Sequence, residues 1–203
     1  MSDDRLKAEQ LREIIEVSAL ITSSLDPREV RRQAVEAATR LVDAERASLL
    51  LVERAGGRLY FEVALGEDTD ELSRVRLIPG QGIAGSVLQS CTPVIVNDVQ
   101  SDSRYCPDLD TRTGFVTRSM ICAPLSCKGE ALGVLEVINK RSAEFDEGDL
   151  AVVNALANEI AIAVENSRLY ERLRRSLIEM SVYATIFATV FVVVGYWLVT
   201  LGD

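Results

Sequence analysis

Residues 180–201, MSVYATIFATVFVVVGYWLVTL, form a run of 22 residues without a single charge. Wound as an α-helix, that run is about 33 Å long, enough to cross a hydrocarbon layer of about 30 Å. Core helices usually keep a polar stripe, and this run offers little beyond Ser, Thr and Tyr hydroxyls. The sequence therefore predicts one transmembrane helix over 180–201, with Tyr196 and Trp197 near an interface. Arg168, Arg172, Arg174 and Arg175 precede the run, and only Asp203 and the chain terminus carry charge after it. The positive-inside rule then places residues 1–179 in the cytoplasm of a single-pass, tail-anchored membrane protein.

The roughly 180 residues before the run suffice for one domain with its own core. A net charge of −9 argues against a nucleic-acid partner, which requires clustered Lys and Arg. The chain has no histidine. Ser-His-Asp and Cys-His catalysis are therefore excluded, and the usual His ligands of zinc and haem are missing. A carboxylate or thiolate enzyme stays open. Cys91, Cys106, Cys122 and Cys127 make no C-x-x-C pair, and Cys122 and Cys127 point to opposite faces of one expected strand. They read as reduced thiols of a cytosolic domain. The charged start, MSDDRLKAEQ, does not resemble a signal peptide.

Helical spacing marks residues 4–25, with Leu11, Ile14, Ile15 and Ile21 on one face. Asp26 as N-cap, Pro27 at the first helical position and Glu29 completing a capping box open a second helix, ending near Val42. Strands follow at 47–52 and 58–65, joined at Gly56-Gly57 as a hairpin. The alternating 74–78 reads as a half-exposed strand, 83–90 as a short helix and 94–96 as a short strand. Residues 100–117 form a long polar segment with little periodicity. Strands at 119–126 and 131–139 meet at a Lys128-Gly129-Glu130 turn, and the pattern is helical from Asp146 onward. This order suits an α+β domain: an antiparallel sheet with helices on one face and a long C-terminal helix continuing into the membrane. Leu169, Leu173, Leu177 and Met180 outline a helical stalk over 166–179. The stalk and helix 1–25 are candidates for a homodimer interface, or for packing on their own domain.

Gly80-Gln81-Gly82-Ile83-Ala84-Gly85 matches G-x-G-x-x-G, with Asp98 at a suitable distance. A dinucleotide fold, however, needs a crossover helix over a parallel sheet. Here the helix is about eight residues long before Cys91-Thr92-Pro93, and the preceding strand carries Arg74 and Arg76. The glycines are better read as permitting a tight turn and close helix–sheet packing.

Four blocks in order resemble one family: Ile78 to Val87, Pro93 to Val99, Thr113 to Leu125, and Gly133 to Lys140 with Phe145 and Asp149 beyond. They are similar to the motifs of GAF domains over residues 10–170, and look most like the cyclic-nucleotide type. The resemblance implies a six-stranded antiparallel sheet with helices behind it and a ligand pocket on the other face, roofed by mid-chain loops. It places the domain at 26–165 and carries ligand contacts onto Ser48, Ile83, Ala84, Asp110, Thr113, Thr117 and Glu136. Asp98 and Phe115 join them as pocket candidates. In the family signature Asn139, Lys140, Phe145 and Asp149 are structural, with Lys140 tying the last strand to Asp149. Two positions depart from the cyclic-nucleotide pattern: Ala64-Leu65 lacks an aromatic–acid pair, and Cys106 stands where an aromatic would stack on a base. In the polar segment, Asp98 paired with Arg104 or Arg118 to pin the loop is a competing reading.

The expectation is a membrane-tethered, non-catalytic sensor. It binds a small cytosolic ligand, a cyclic nucleotide among the candidates, and signals as a homodimer to an output protein in trans. A ligand-free scaffold, its pocket packed shut by Phe61 and Phe115, is the alternative. A third is an enzyme like the free methionine sulfoxide reductases, whose cysteine pattern is missing here.

Overall fold

In the computed structural model, residues 27–65 and 69–201 are described, the side chains of 69–70 and 192–201 excepted. The expected helix over 4–25, its place in a dimer and the Asp26 cap lie outside the described residues. The chain divides into two units, Met1–Val164 and Glu165–Asp203.

The first unit is built around its two longest strands, β1 (Ala44–Val52) and β6 (Glu130–Lys140), which pair antiparallel at the centre of a six-stranded sheet. Hairpins extend it on both sides. β1 turns through Gly56-Gly57 into β2 (Leu59–Ala64), which pairs with the two-residue β3 (Arg76–Leu77). β5 (Met120–Cys127) reaches β6 through Lys128-Gly129, both at positive φ as a two-residue turn demands, and β4 (Val94–Val96) edges β5. The order is β3-β2-β1-β6-β5-β4, with every pairing antiparallel. The expected α+β architecture with six antiparallel strands is present.

Both faces of the sheet are covered. Because side chains alternate along a strand, Leu49 and Leu51 point one way and Leu50 the other. Leu49, Leu51, Ile121, Leu135 and Val137 pack with Ala34, Val35 and Ala38 of α1 (Pro27–Leu41) and with Val153, Leu156 and Ile160 of α5 (Glu147–Leu201). The opposite face gathers Leu50, Leu59, Met120, Cys122 and Val134 around Ile83 and Val87 of α3 (Gly82–Ser90). The short helices α2 (Thr69–Ser73) and α4 (Asp108–Thr113) flank that second core. Helices on one face only is therefore corrected: the long ones lie on one side, the short ones on the other. Two local expectations also change. Of residues 74–78 only Arg76–Leu77 pair, and the polar segment 100–117 contains α4, ended by Gly114 at φ 68.

α5 begins one residue later than its pattern, because Asp146 is its cap. The Asp146 carboxylate accepts from the Asp149 amide at 2.9 Å, and Asp149 accepts from the Asp146 amide at 3.0 Å, a reciprocal capping box. The same Asp149 carboxylate pairs with Lys140, both side chains largely buried. Phe145 is buried beside them, and its backbone exchanges two hydrogen bonds with the Asn97 side chain, 2.9 and 3.0 Å. Asn139, fully buried at φ 58, receives the Arg118 and Ser119 amides and donates to Glu45 and the Val116 carbonyl. All four residues of the signature make contacts within the fold.

In the second unit α5 continues to Leu201. Its apolar side chains are exposed at Leu169, Leu173, Leu177 and Met180, and again at Tyr183, Phe187 and Phe191. Among the described residues no helix is long and apolar enough to cross a membrane. The transmembrane helix expected over 180–201 finds no support in that result. Described side chains stop at Phe191, and the uncharged stretch up to that point is shorter than the roughly 20 residues a span needs.

Candidate functional site

A cavity of about 250 Å³ opens on the face covered by the short helices. Its floor includes a pair of residues, Ser48 and Glu136, brought together by strand register. Ser48 of β1 lies opposite Glu136 of β6, and Glu136 lies opposite Cys122 of β5. The Ser48 hydroxyl donates to Glu136 at 2.9 Å, and both residues are buried. Burial lifts the Glu136 carboxyl to about 7, the Ser48 bond pulling the other way. Behind the floor, burial pushes the Cys122 thiol up, and the neighbouring Glu136 adds to the effect.

One wall is the start of α3. Gly80 and Gly82 sit at φ 84 and 70, which side chains resist, and a Cβ on Gly85 would come within 2.9 Å of the Gly80 nitrogen. The G-x-G-x-x-G match thus builds a turn folded tightly on its own helix. An antiparallel sheet removes the dinucleotide reading. The turn delivers Ile83 and Ala84 to the cavity wall at the first turn of α3, where the preceding Gln81 makes no side-chain cap.

The roof comes from α4 and the segment after it, organised by Asp110. Its carboxylate accepts the Tyr105 hydroxyl at 2.7 Å, the Thr117 amide at 2.6 Å and the Thr117 hydroxyl at 2.7 Å. Burial, then the bond to Asp110, pushes the Tyr105 phenol up to about 12. Thr113 bonds back to the Leu109 carbonyl at 2.9 Å. The Phe115 ring lies 4.0 Å from the Arg46 guanidinium. Arg112 reaches across to Glu71 of α2 at 3.3 Å.

The structure brings eight of the nine candidate residues to this cavity: Ser48, Ile83, Ala84, Asp110, Thr113, Phe115, Thr117 and Glu136. Asp98 is not among them. It is exposed at the start of a 3-10 turn, where it accepts the Ser101 hydroxyl at 2.6 Å. The loop is pinned by pairs other than those considered, Arg104 with Asp102 and Arg118 with Glu45, each at 2.6 Å. Asp102 is held down to about 2 by the Arg104 side chain. Asp110 was expected to meet a ligand, and here both its oxygens serve the roof. Among the residues missed are Arg46, Gln81 and Tyr105, all lining the cavity. Arg46 was legible, since it lies two residues before Ser48 and so on the same strand face. Among the described residues no group of three His, Cys, Asp or Glu could hold a metal ion.

Fold and cavity together define a sensory type of α+β domain. The chain belongs to the GAF domain family, whose model matches residues 26–164. It is 30% identical over 148 residues to the probable 3',5'-cyclic phosphodiesterase pde-5 of Caenorhabditis elegans, covering 68% of this chain and 20% of that protein. It is 31% identical over 188 residues to the dual 3',5'-cyclic-AMP and -GMP phosphodiesterase 11 of Drosophila melanogaster, covering 85% and 13%. The chain thus spans a fifth or less of these relatives. In fold it resembles the GAF domain of a phosphoenolpyruvate-protein phosphotransferase from Coxiella burnetii, with a TM-score of 0.74, 19% identity and coverage of 80% and 96%. It also resembles free methionine-R-sulfoxide reductase from Neisseria meningitidis, with a TM-score of 0.68, 21% identity and coverage of 80% and 92%.

Proposed function

We propose that the chain is a non-catalytic GAF sensor that binds a cyclic nucleotide in this cavity and reports its occupancy to an output protein in trans. The carrying observation is an open cavity whose floor is the buried Ser48–Glu136 pair. Its chemistry suits such a ligand. Uncapped amides at the start of the nine-residue α3 favour an anionic group, the Glu136 carboxyl meets polar atoms of a base, and Phe115 offers a ring. The relatives named as cyclic-nucleotide phosphodiesterases support the same ligand class. Phe61 and Phe115 line the cavity without filling it, which counts against a ligand-free scaffold. The likeness to the sulfoxide reductase is one of fold alone.

The test is thermal unfolding of the full chain in detergent with cyclic GMP, cyclic AMP and a panel of metabolites. A ligand at a hundred times its Kd adds about 2.7 kcal/mol of stability, a rise of several degrees in Tm. No shift with either nucleotide retires the ligand assignment.

We further propose that residues 180–201 tether the chain, with residues 1–179 cytoplasmic, and that the apolar stripe of the stalk joins two copies. The uncharged run and the exposed Leu169, Leu173, Leu177 and Met180 support this. Sedimentation of the chain with membranes, and its release only by detergent, is the expected result. Recovery in a detergent-free supernatant removes the tether.

A further inference from the structure

Glu136 has unusual surroundings for a carboxyl in a binding cavity. It is buried, and the hydrogen bond it accepts is a neutral one, from the Ser48 hydroxyl. From the other side α3 presents the apolar Ile83 and Ala84, and from β5 the neutral thiol of Cys122 lies opposite. The charged groups nearby have their own engagements. On β1, Arg46 sits over Phe115; from α4, Asp110 holds Tyr105 and Thr117, Arg112 bonds Glu71 and Asp108 also lines the cavity; from β3 and the residues before it, Arg76 pairs with Glu53 and Arg74 with Glu71. Arg104, near Cys122, is paired with Asp102. Burial is the dominant influence on this carboxyl and raises it to about 7, so the proton is exchangeable near neutral pH.

We infer that ligand binding in this cavity is coupled to the proton of Glu136, so that pH selects which hydrogen-bonding edge the site accepts. The inference rests on the cyclic-nucleotide reading above and adds a proton to it. A carboxylate offers only acceptors, whereas a carboxylic acid offers one donor and one acceptor. Guanine presents two adjacent N–H donors on its pairing edge and so matches the carboxylate. Its binding to the neutral acid expels the Glu136 proton to solvent. Adenine presents a ring-nitrogen acceptor beside an amino donor and matches the acid. Its binding to the ionised form draws one proton in.

The experiment is calorimetric titration of the full chain in detergent with cyclic GMP and cyclic AMP from pH 5.5 to 8.5, in two buffers of different ionisation enthalpy. Expected for cyclic GMP is an affinity that rises about tenfold per pH unit up to about 7 and then levels, with proton release. Expected for cyclic AMP is an affinity that holds level up to about 7 and then falls about tenfold per unit, with proton uptake. Glu136→Gln fixes one donor and one acceptor, so both slopes vanish and cyclic AMP is retained. If that variant does not fold, the opposite signs of proton exchange in the unaltered chain decide the matter. Binding without pH dependence or proton exchange overturns the coupling and leaves the ligand class standing. Failure of both nucleotides to bind at every pH overturns ligand class and coupling together.

Discussion

Glu136 and Asn139 lie three residues apart on β6 and do opposite work. Glu136 weakens the fold above neutrality. With its carboxyl raised from an ordinary 4.5 to about 7, the folded chain holds a proton that the unfolded chain has released. The stability this gives is full below about 4.5 and is lost as pH rises through about 7, on the order of 3 kcal/mol. Relative to Glu136→Gln, the parent should therefore lose about that much between pH 4.5 and 8, read from urea denaturation of both chains across the range. Asn139 strengthens the fold. Its amide meets four partners at 2.7–3.2 Å while its backbone holds a positive φ. Asn139→Ala strands those partners and adds backbone strain, for an expected loss of about 3 kcal/mol by the same measurement.

At the scale of elements, the join between β6 and α5 is the most interlocked part of the molecule. Asp149 closes the capping box by accepting the Asp146 amide and neutralises the nearly buried Lys140. Asp149→Ala removes both functions and leaves a buried ammonium, an expected cost of about 3–5 kcal/mol in equilibrium unfolding. A Lys140→Met change in the same background should restore part of it. Gly133 has a different burden: a Cβ there would lie 2.1 Å from the Leu50 carbonyl oxygen, so Gly133→Ala forces the two central strands apart. The expected result is loss of the cooperative unfolding transition. Alternation and turn residues made β1, β2, β5 and β6 readable in the sequence, because their periods are set by burial of whole faces. The helix α4 was not readable. Its six residues, Asp108 to Thr113, bury no side chain fully, and its form follows from the Asp110 bonds to Tyr105 and Thr117. Asp98 was misplaced for a related reason: spacing along the chain brings a carboxylate near a loop but does not say which hydroxyl it finds first.

Across the whole molecule, the two units carry different burdens. The first has its own two-sided core, and α5 beyond it exposes Leu173, Leu177, Phe187 and Phe191. Deleting residues 180–203 should leave the unfolding free energy of the remaining chain within about 0.5 kcal/mol of the parent in detergent. The same deletion should move the chain from the membrane pellet to the supernatant, read by sedimentation of lysed cells. The family-like blocks made most of the cavity legible in advance, since eight of nine named residues meet there. What they could not convey is which groups face the ligand and which face one another, as Asp110 shows.

The strand order has a consequence for how a cell makes this protein. Ser48 and Glu136 stand 88 positions apart in the chain and become neighbours only when β6 slides in beside β1. A nascent chain still lacking its sixth strand has a hairpin and a helix but no place for a ligand to sit. Closing such distant partners is slow compared with forming hairpins. The cavity floor therefore forms late, after the ribosome has passed Lys140. A molecule that fits the cavity has nothing to grip on the half-made domain.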